Sequence, residues 1–356
     1  MIIFIFGTTA EAIKLAPIAR RLDERQVPYE YWLTLQHTSG LIETLPKLGF
    51  REPEHIIANT VNGKPLKSYG DVLRWTVQIG KWLLMNSRNL RRSIPRDSII
   101  LVHGDTMTSV VGAVIAKWLR VDSAHVEAGL RSGNWRHPFP EELDRRIVGK
   151  LAKVHYSPSP ESTANLAPRK NVVFTRGNTA IDAVLDQDER PLSNGEKYGV
   201  VLLHRFELLA NPNLVSQTMT TLAAQSPLPF HLFVNDYSEK ALTSALPLLD
   251  PTKIYVKKKV GHEDFVNYMK NAEFIVTDSG GIQEEAALLG VPTLVHRIAT
   301  ERGEGLGHNV VLSEWRIDTL SIFLQSFESL RRPVSVPASS PSDIIVNDLT
   351  ERGYAR

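Results

Sequence analysis

Carboxylate side chains follow two predicted strands, at the strand ends where α/β proteins bind ligands. Asp105 follows an apolar run that ends at His103, and Glu127 follows the next such run. Glu141 and Glu142 then open a predicted helix. General acid/base chemistry needs titratable groups in separate environments, so catalysis is one candidate role. The simpler alternatives are a helix cap for Asp105 and a favourable charge at a helix start for Glu141.

The helix that begins at Glu141 also carries paired charges. Arg145 lies four residues after Glu141, and Arg146 lies four residues after Glu142, so each pair shares a helix face. Pairs at this spacing are most often solvated surface pairs. The sequence alone leaves that interpretation open beside a catalytic one.

The segment "FIVTDSGGIQEEAALLGVPTLV" has the strongest signal for a ligand. A buried strand ends at Asp278 and Ser279, and a helix begins at once with Gly280 and Gly281. Backbone amides and the helix dipole at such a point favour a phosphate or diphosphate. Glu285, further along the helix, is suited to accept hydrogen bonds from ribose hydroxyls. The alternative is that Asp278 or Ser279 caps the helix and the glycines form a tight turn.

Further polar residues follow strands in the second half of the chain. His204 and Arg205 come directly after the run "YGVVLL", where they could meet a phosphate or a leaving group. Arg297 and Arg302 lie in a predicted loop, "HRIATERGEG". The alternatives are a structural histidine and an exposed charged loop.

The opening segment, "FGTTAEAIK", has the outline of a phosphate-binding turn, but it contains only Gly7 as glycine. It matches neither the dinucleotide nor the P-loop pattern, which argues against NAD and against an ordinary nucleoside triphosphatase. The histidines are scattered, without the spacing of a metal site. No cofactor and no metal are expected.

Short apolar runs alternate with amphipathic stretches throughout, which predicts an α/β fold with parallel sheets. Two domains are expected in 356 residues. The boundary is placed near Lys170, giving domains at 1–170 and 171–340 and a last helix at about 341–356. The predicted strands are "IIFIF", "EYWLTL", "SIILVHG", "SAHVEAG", "KVHYSPS", "VVF", "YGVVLLH", "FHLFV", "KIYVK", "FIVTDSG" and "PTLVHR".

Composition excludes several classes of partner. A net charge of +2 gives no strong field for nucleic acid or for an anionic membrane. The chain has no cysteine, which removes disulfides and thiol chemistry and fits a reducing compartment. No apolar run is long enough to span a bilayer, and "MIIFIFG" lacks the features of a signal peptide. A cytoplasmic protein is expected.

Taken together, these segments resemble one family, the non-hydrolysing UDP-N-acetylglucosamine 2-epimerases. The resemblance covers nearly the whole chain, and the combination of "HVEAGLR", a following "PEE" and "DSGGIQEE" is specific. The remaining matching segments are "FGTTAEAIKLAP", "VHGDTMTS", "SPSPEST", "GNTAIDAV" and "TERGE".

The resemblance implies the glycosyltransferase-B architecture, with two Rossmann-like domains whose parallel sheets face across a cleft and a final helix that crosses back to the first domain. It implies anti elimination of UDP from a UDP-sugar to give a 2-acetamidoglucal, followed by re-addition, without a cofactor. It also implies a homodimer.

By position, the resemblance further implies roles for single residues. Three carboxylates and a histidine correspond to catalytic groups: Asp105, Glu127, Glu141 and His204. Substrate or UDP contacts are implied for Lys14, Arg145, Ser279, Gly280, Gly281, Glu285 and Arg302.

Several positions depart from the family pattern. Thr9 and Ala10 replace an Arg-Pro pair, and Phe206 replaces the second Arg of H-R-R-E. Thr38 and Asn235 stand where bacterial members hold a second, activating UDP-sugar. Each lost Arg removes a charge-assisted contact of about 1.5–3 kcal/mol. We therefore expect no activation by substrate.

The lost Arg side chains also keep other activities open. A hydrolysing 2-epimerase, or a nucleotide-sugar hydrolase, would release UDP. A glycosyltransferase of the same fold and a non-catalytic sugar-nucleotide binder are further alternatives, and a related nucleotide sugar could replace UDP-N-acetylglucosamine as the substrate.

Overall fold

The computed structural model describes residues 1–36, 40–60, 66, 68–133, 140–187, 195–235, 238–244, 253–258, 260–300 and 302–355. These residues divide into two units. The first comprises Met1–Asp186 with Pro337–Arg356, and the second comprises Gln187–Val336.

A parallel sheet forms the centre of the first unit. Its first strand, Ile2–Phe6, is buried along its whole length, as expected for a sheet covered by helices on both faces. Within the described residues the strand order is β3-β2-β1-β4-β5-β6-β7. The strands are β1 Ile2–Phe6, β2 Tyr29–Leu33, β3 His55–Ile56, β4 Ile99–His103, β5 Asp122–Val126, β6 Val154–Ser157 and β7 Val172–Phe174.

Helices cover both faces of this sheet. One apolar core contains Phe4, Phe6 and Leu15, and the other, on the opposite face, contains Ile3, Ile5 and Trp75. The helices are α1 Thr9–Glu24, α2 Leu41–Thr44, α3 Tyr69–Ser93, α4 Met107–Leu119, α5 Glu141–Leu151, α6 Pro160–Ala164 and α7 Ala180–Leu185, and a 3₁₀ helix spans Leu45–Leu48.

The second unit repeats the plan with a smaller parallel sheet of order β10-β9-β8-β11-β12-β13 in the part of the chain that is described. Phe230, Phe274 and Leu294 lie in its main apolar core. The strands are β8 Gly199–Leu202, β9 Phe230–Val234, β10 Ile254–Lys258, β11 Phe274–Thr277, β12 Thr293–Val295 and β13 Val310–Leu312. The helices are α8 Phe206–Leu209, α9 Pro212–Gln225, α10 Ser238–Thr243, α11 His262–Lys270, α12 Gly280–Leu289 and α13 Ile317–Ser326, with a 3₁₀ helix at Phe327–Leu330.

The strand order reverses once in each sheet, between β1 and β4 and between β8 and β11. Ligands in open parallel sheets bind beyond the carboxyl ends of the strands at such a reversal. The segments that follow these four strands are therefore candidate ligand-binding segments.

The first unit continues past Lys170, the boundary expected from the sequence, to Asp186. Strand β7 pairs in parallel with β6, and the Arg21 guanidinium of α1 donates to Asp186, with Nη1 2.7 Å from Oδ2. Both contacts hold the segment after Lys170 on the first sheet.

The last helix, α14 Pro341–Glu351, also packs in the first unit. Ile345, Val346 and Leu349 are fully buried in the core that contains Phe4. The Tyr156 hydroxyl donates to Asp348 Oδ2 at 2.9 Å. The chain thus returns to its first sheet, as the resemblance implies.

All eleven predicted strands are present in the structure. Two further strands of the described residues, β3 and β13, were not predicted; they are short strands at sheet edges, with two and three residues. Strands so short carry too little hydrophobic pattern to be identified from a single sequence. Among the described residues, no helix is long and apolar enough to cross a membrane.

Candidate active-site clusters

In the first unit, Glu127 is held by two donors at the end of β5. Its side chain is 5% exposed, and Lys14 Nζ lies 2.5 Å from its Oε2. Asn178 Nδ2 donates to the same oxygen at 2.6 Å. The charge and hydrogen bonds stabilise a carboxylate in a buried position. The backbone of Glu127 has a positive φ of 66°, an uncommon conformation that clusters at functional sites.

Asn178 was not among the residues selected from the sequence, although it lies in the matching segment "GNTAIDAV". Its side chain also fixes its own loop, because Oδ1 accepts from Ala180 N at 3.1 Å. The signal that could have found it is a polar residue placed just before a helix. His103 is a further neighbour, with Nε2 3.4 Å from Glu127 Oε2.

Asp105 pairs with Arg145 rather than capping a helix. The Arg145 guanidinium donates to Asp105 Oδ2 and lies 3.7 Å from Glu142 Oε2. The cap of α4 is Thr106, whose hydroxyl accepts from Ser109 N at 3.2 Å. The helix-cap alternative for Asp105 is therefore wrong.

The charges of α5 do not form solvated surface pairs. The Glu142 side chain is fully buried and accepts from Arg146 Nε at 2.9 Å, and Arg145 is 7% exposed. Arg145 pairs with Asp105 and Glu142, not with Glu141 at the predicted spacing of four. Helix α5 packs against α4, and Asp105, which lies just before α4, is within reach of Arg145.

Asp144, on α5, was also not identified from the sequence. It is 7% exposed, and this burial, together with the nearby charges of Asp105 and Glu141, raises its pKa to about 7. A signal was present, since position 144 lies three residues after Glu141 on the same helix face.

The opening turn, Gly7 and Thr8, is occupied by a side chain of its own helix. Glu11 Oε2 accepts from Gly7 N at 3.0 Å and from Thr8 N at 2.9 Å, and the Thr8 hydroxyl accepts from Glu11 N. Thr106 Oγ1 donates to the other carboxylate oxygen at 2.6 Å. This capping box uses the amides that a phosphate would need.

In the second unit, Asp278 organises the segment after β8. Its buried carboxylate accepts from His204 N at 2.9 Å and from Arg205 N at 2.8 Å. His204 Nδ1 lies 3.1 Å from the same carboxylate, while 35% of the His204 side chain is exposed. Asp278 thus fixes the backbone at His204 and Arg205 and lies beside the histidine ring, part of which stays accessible.

The helix start after β11 is open. Ser279 is the N-cap of α12, but neither its hydroxyl nor Asp278 makes a side-chain cap, so the side-chain cap alternative is wrong. Among the described residues, a Cβ placed on Gly281 would meet only Ser279 Oγ, at 3.9 Å. Packing therefore does not require glycine there, whereas close approach of a ligand to the backbone would.

Glu285 and Arg302 each have a partner within the second unit. His262 Nε2 lies 2.9 Å from Glu285 Oε1. Arg302 pairs with Glu284 and is 9% exposed on its side chain. Gln283 fixes the backbone of this loop by donating to the Arg302 carbonyl at 3.0 Å.

Within the described ranges, no group of three or more histidine, aspartate or glutamate side chains is arranged to hold a metal ion. The clusters of the first unit are instead carboxylates paired with lysine and arginine. These pairs are suited to proton transfer, and the α12 start is suited to an anion.

Two parallel sheets with charged strand ends and an uncapped glycine helix start form the arrangement in which α/β enzymes commonly bind anionic ligands. A family model described as UDP-N-acetylglucosamine 2-epimerase matches residues 71–326. A UDP-N-acetylglucosamine 2-epimerase of Campylobacter jejuni is 32% identical over 339 residues, covering 87% of this chain and 84% of that protein. The chain belongs to the UDP-N-acetylglucosamine 2-epimerase family.

Solved structures agree with this assignment. The Methanocaldococcus jannaschii UDP-GlcNAc 2-epimerase in complex with UDP-GlcNAc and UDP matches with a TM-score of 0.79 and 27% identity, over 98% of this chain and 99% of that one. The Neisseria meningitidis enzyme bound to UDP-GlcNAc matches with a TM-score of 0.81 and 27% identity, over the same shares. The predicted family, fold class and enzyme class are confirmed.

Proposed function

We propose that the protein interconverts UDP-N-acetylglucosamine and UDP-N-acetylmannosamine. The reaction would proceed by removal of the C2 proton with anti elimination of UDP, followed by re-addition of UDP and proton delivery to the other face of C2. The observation that carries the proposal is the set of buried, cation-paired carboxylates at the strand ends of the first sheet, in a chain of this family.

The first unit would supply the acid and base. A C2 proton is weakly acidic, so its removal needs a carboxylate held in a fixed position, and its return to the other face needs a second group. Asp105 and Glu127 are each fixed by a cation, and Glu141 lies at the start of α5.

The second unit would hold UDP. The amides of Gly280 and Gly281 at the α12 start suit the diphosphate. Glu285 would accept from ribose hydroxyls through the carboxylate oxygen that does not face His262. The exposed side of the His204 ring would meet the departing phosphate, with the Asp278 carboxylate beside the ring.

The reaction can be followed by proton NMR with UDP-N-acetylglucosamine in heavy water. Deuterium at C2 together with gluco and manno UDP-sugars is the expected result. Free UDP with released sugar would instead identify a hydrolase, and an unchanged spectrum would contradict both activities on this substrate.

Replacing an acid/base carboxylate by its amide tests the roles one at a time. Asp105→Asn and Glu141→Gln should abolish C2 exchange, because each loses a proton acceptor while keeping its size. Asp122→Asn is the matched control. Asp122 lies at the opposite end of β5 from Glu127 and pairs with Lys153, so its amide should retain exchange. Full activity in Asp105→Asn would remove that residue from the mechanism.

The rate should depend hyperbolically on substrate, without activation by a second UDP-sugar. Asn235 stands at a changed position, and it caps α10 by accepting from Ser238 N at 2.9 Å. Phe206 offers an exposed ring in place of a guanidinium. Thr38, the other changed position, lies outside the described residues. A sigmoidal rate curve that added UDP-N-acetylglucosamine makes hyperbolic would contradict this proposal.

The implied homodimer has a candidate surface on α3, a helix of 25 residues. One face of this helix presents exposed apolar side chains: Tyr69, Leu73, Val77 and Leu84. A straight apolar stripe can pair with the same stripe on a second copy across a two-fold axis. Light scattering should show a dimer for the native chain and a monomer for Leu73→Lys with Leu84→Lys. A dimer that persists in the double variant would exclude this face.

A further inference from the structure

The acid/base cluster of the first unit contains a carboxyl group that the proposed roles do not use. Asp144 is on α5, three residues after Glu141, so both side chains project from one helix face. Its neighbours with charge include Asp105, from the loop between β4 and α4. More than one carboxyl group is therefore crowded at the start of α5.

Two carboxyl oxygens of this crowd are shielded from water. Glu141 Oε2 and Asp144 Oδ2 are both buried, and neither has a hydrogen-bond partner among the described residues. Asp144 as a whole is more than nine-tenths buried. A buried carboxylate without a partner is costly, whereas a carboxylic acid is not.

Neither neighbouring arginine forms an ion pair with Asp144. Arg145 directs its guanidinium at Asp105 and Glu142, and Arg146 pairs with Glu142. Among described groups, the charges that act on Asp144 come from Asp105 and Glu141, and both add to the effect of burial in raising its pKa to about 7.

We propose that Asp144 is a positioning residue that carries a proton while the enzyme is active, and that its ionisation adds a negative charge to the Asp105 and Glu141 cluster and slows the reaction. The proposal rests on the proposed function for the part that concerns rate. The part that concerns the proton can be tested without substrate.

The effect on rate follows from charge. The UDP-sugar is an anion, and removal of a C2 proton builds further negative charge in the transition state. An ionised Asp144 would repel both. Neutral Asp144 avoids each of these costs.

The pH dependence of kcat/KM tests the effect on rate. For the native chain we expect kcat/KM to fall about tenfold per pH unit above neutral pH, the slope of one ionisation. Asp144→Asn, which has the shape of the neutral acid and cannot ionise, should retain activity and lack this fall. Asp122→Asn, the matched control, should retain the native profile. An identical fall in Asp144→Asn would overturn the proposal.

Urea unfolding tests the proton without any substrate. Burial raises the pKa of Asp144 above its unfolded value, so the native chain should lose stability relative to Asp144→Asn as the pH rises from about 4 to about 7. The urea midpoint of Asp144→Asn should therefore exceed that of the native chain by more at about pH 8 than at about pH 5. A constant difference would overturn the assignment of the proton.

The two experiments distinguish a failure of the proposed function from a failure of the proposal for Asp144. If the native chain shows no C2 exchange, the proposed function fails, and the urea comparison still decides whether Asp144 holds a proton. The urea midpoints could show that Asp144 holds a proton while the pH dependence of kcat/KM is the same in Asp144→Asn and the native chain. Asp144 would then have no influence on the reaction, and the proposal would be wrong.

Discussion

The two units each contain a glycine at a strand end followed directly by a helix, yet the two helix starts are in opposite states. At the start of α1, Glu11 accepts from the amides of Gly7 and Thr8. At the start of α12, Ser279 provides no side-chain cap and the first turn has no acidic residue. The same sequence outline thus gives one helix start filled by its own carboxylate and one that no side chain caps.

The difference depends on the third residue of each helix. In α1 this residue is Glu11, which reaches back to the turn as in a capping box. In α12 it is Ile282, which is buried and cannot accept a hydrogen bond. A glycine after a strand therefore indicates an anion site only when the helix does not supply its own anion.

The largest expected effect comes from filling the open start. Ile282→Glu would place a carboxylate at the third position of α12, as in α1. We expect UDP affinity to fall at least about 100-fold, because the added charge repels the diphosphate and competes for the amides. Titration calorimetry with UDP measures this loss.

Ile282 is buried, so the same experiment needs a folding control. Ile282→Leu keeps an apolar residue of equal size and should retain UDP affinity within about twofold. If Ile282→Glu is folded by circular dichroism and binds UDP like the native chain, the α12 start is not the anion site.

Removing the Glu11 carboxylate from the start of α1 should lower stability instead. Glu11→Ala removes four hydrogen bonds that Gly7, Thr8 and Thr106 donate to the carboxylate. We expect the free energy of unfolding to fall by about 3 kcal/mol, since buried donors lose their acceptor. Urea unfolding measures the change. UDP affinity at about 25 °C should stay within twofold of the native value, and a larger change would show that the α1 start takes part in binding.

A smaller effect is expected at Gly281, whose replacement tests whether a ligand lies against the backbone at the start of α12. Alanine is a better helix residue than glycine by about 0.5–1 kcal/mol, and the structure has room for its Cβ. Gly281→Ala should therefore raise the urea midpoint slightly. If a diphosphate lies against this backbone, UDP affinity should fall about tenfold. Unchanged affinity together with higher stability would mean that Gly281 is only a helix residue.

The sequence predicted the strands and the polar residues that follow them, because buried runs and strand ends are local patterns. Asp278 shows what it could not predict. The sequence offered Asp278 as a helix cap, but its carboxylate reaches across to the amides of His204 and Arg205 on the neighbouring strand end. That contact depends on the order of β8 and β11 in the sheet, which no local pattern contains.

Arg145 shows the same limit within one helix. The spacing of four predicted a pair with Glu141, and the structure pairs Arg145 with Asp105, 40 residues away. Helix spacing defines which residues can meet on an isolated surface, whereas packing of α5 against α4 decides which do. Asn178 and Asp144 each carried a weak local signal, but their importance comes from Glu127, which is distant in sequence, and from burial.

The smallest expected effect is at Thr9, the first residue of α1, where this chain departs from its family. Thr9→Arg adds a cation beside a turn that Glu11 already fills, and a cation near a helix start is mildly unfavourable. We expect the free energy of unfolding, measured with urea, to change by less than about 0.5 kcal/mol. We expect KM for UDP-N-acetylglucosamine to fall by at most about tenfold, the value of one charge-assisted contact of modest geometry.

Thr9→Lys tests whether charge alone suffices. A fall in KM with Arg but not with Lys would point to a planar contact with phosphate. No change with either would mean that the occupied α1 start lies outside the reach of the substrate, which would complete the contrast with α12.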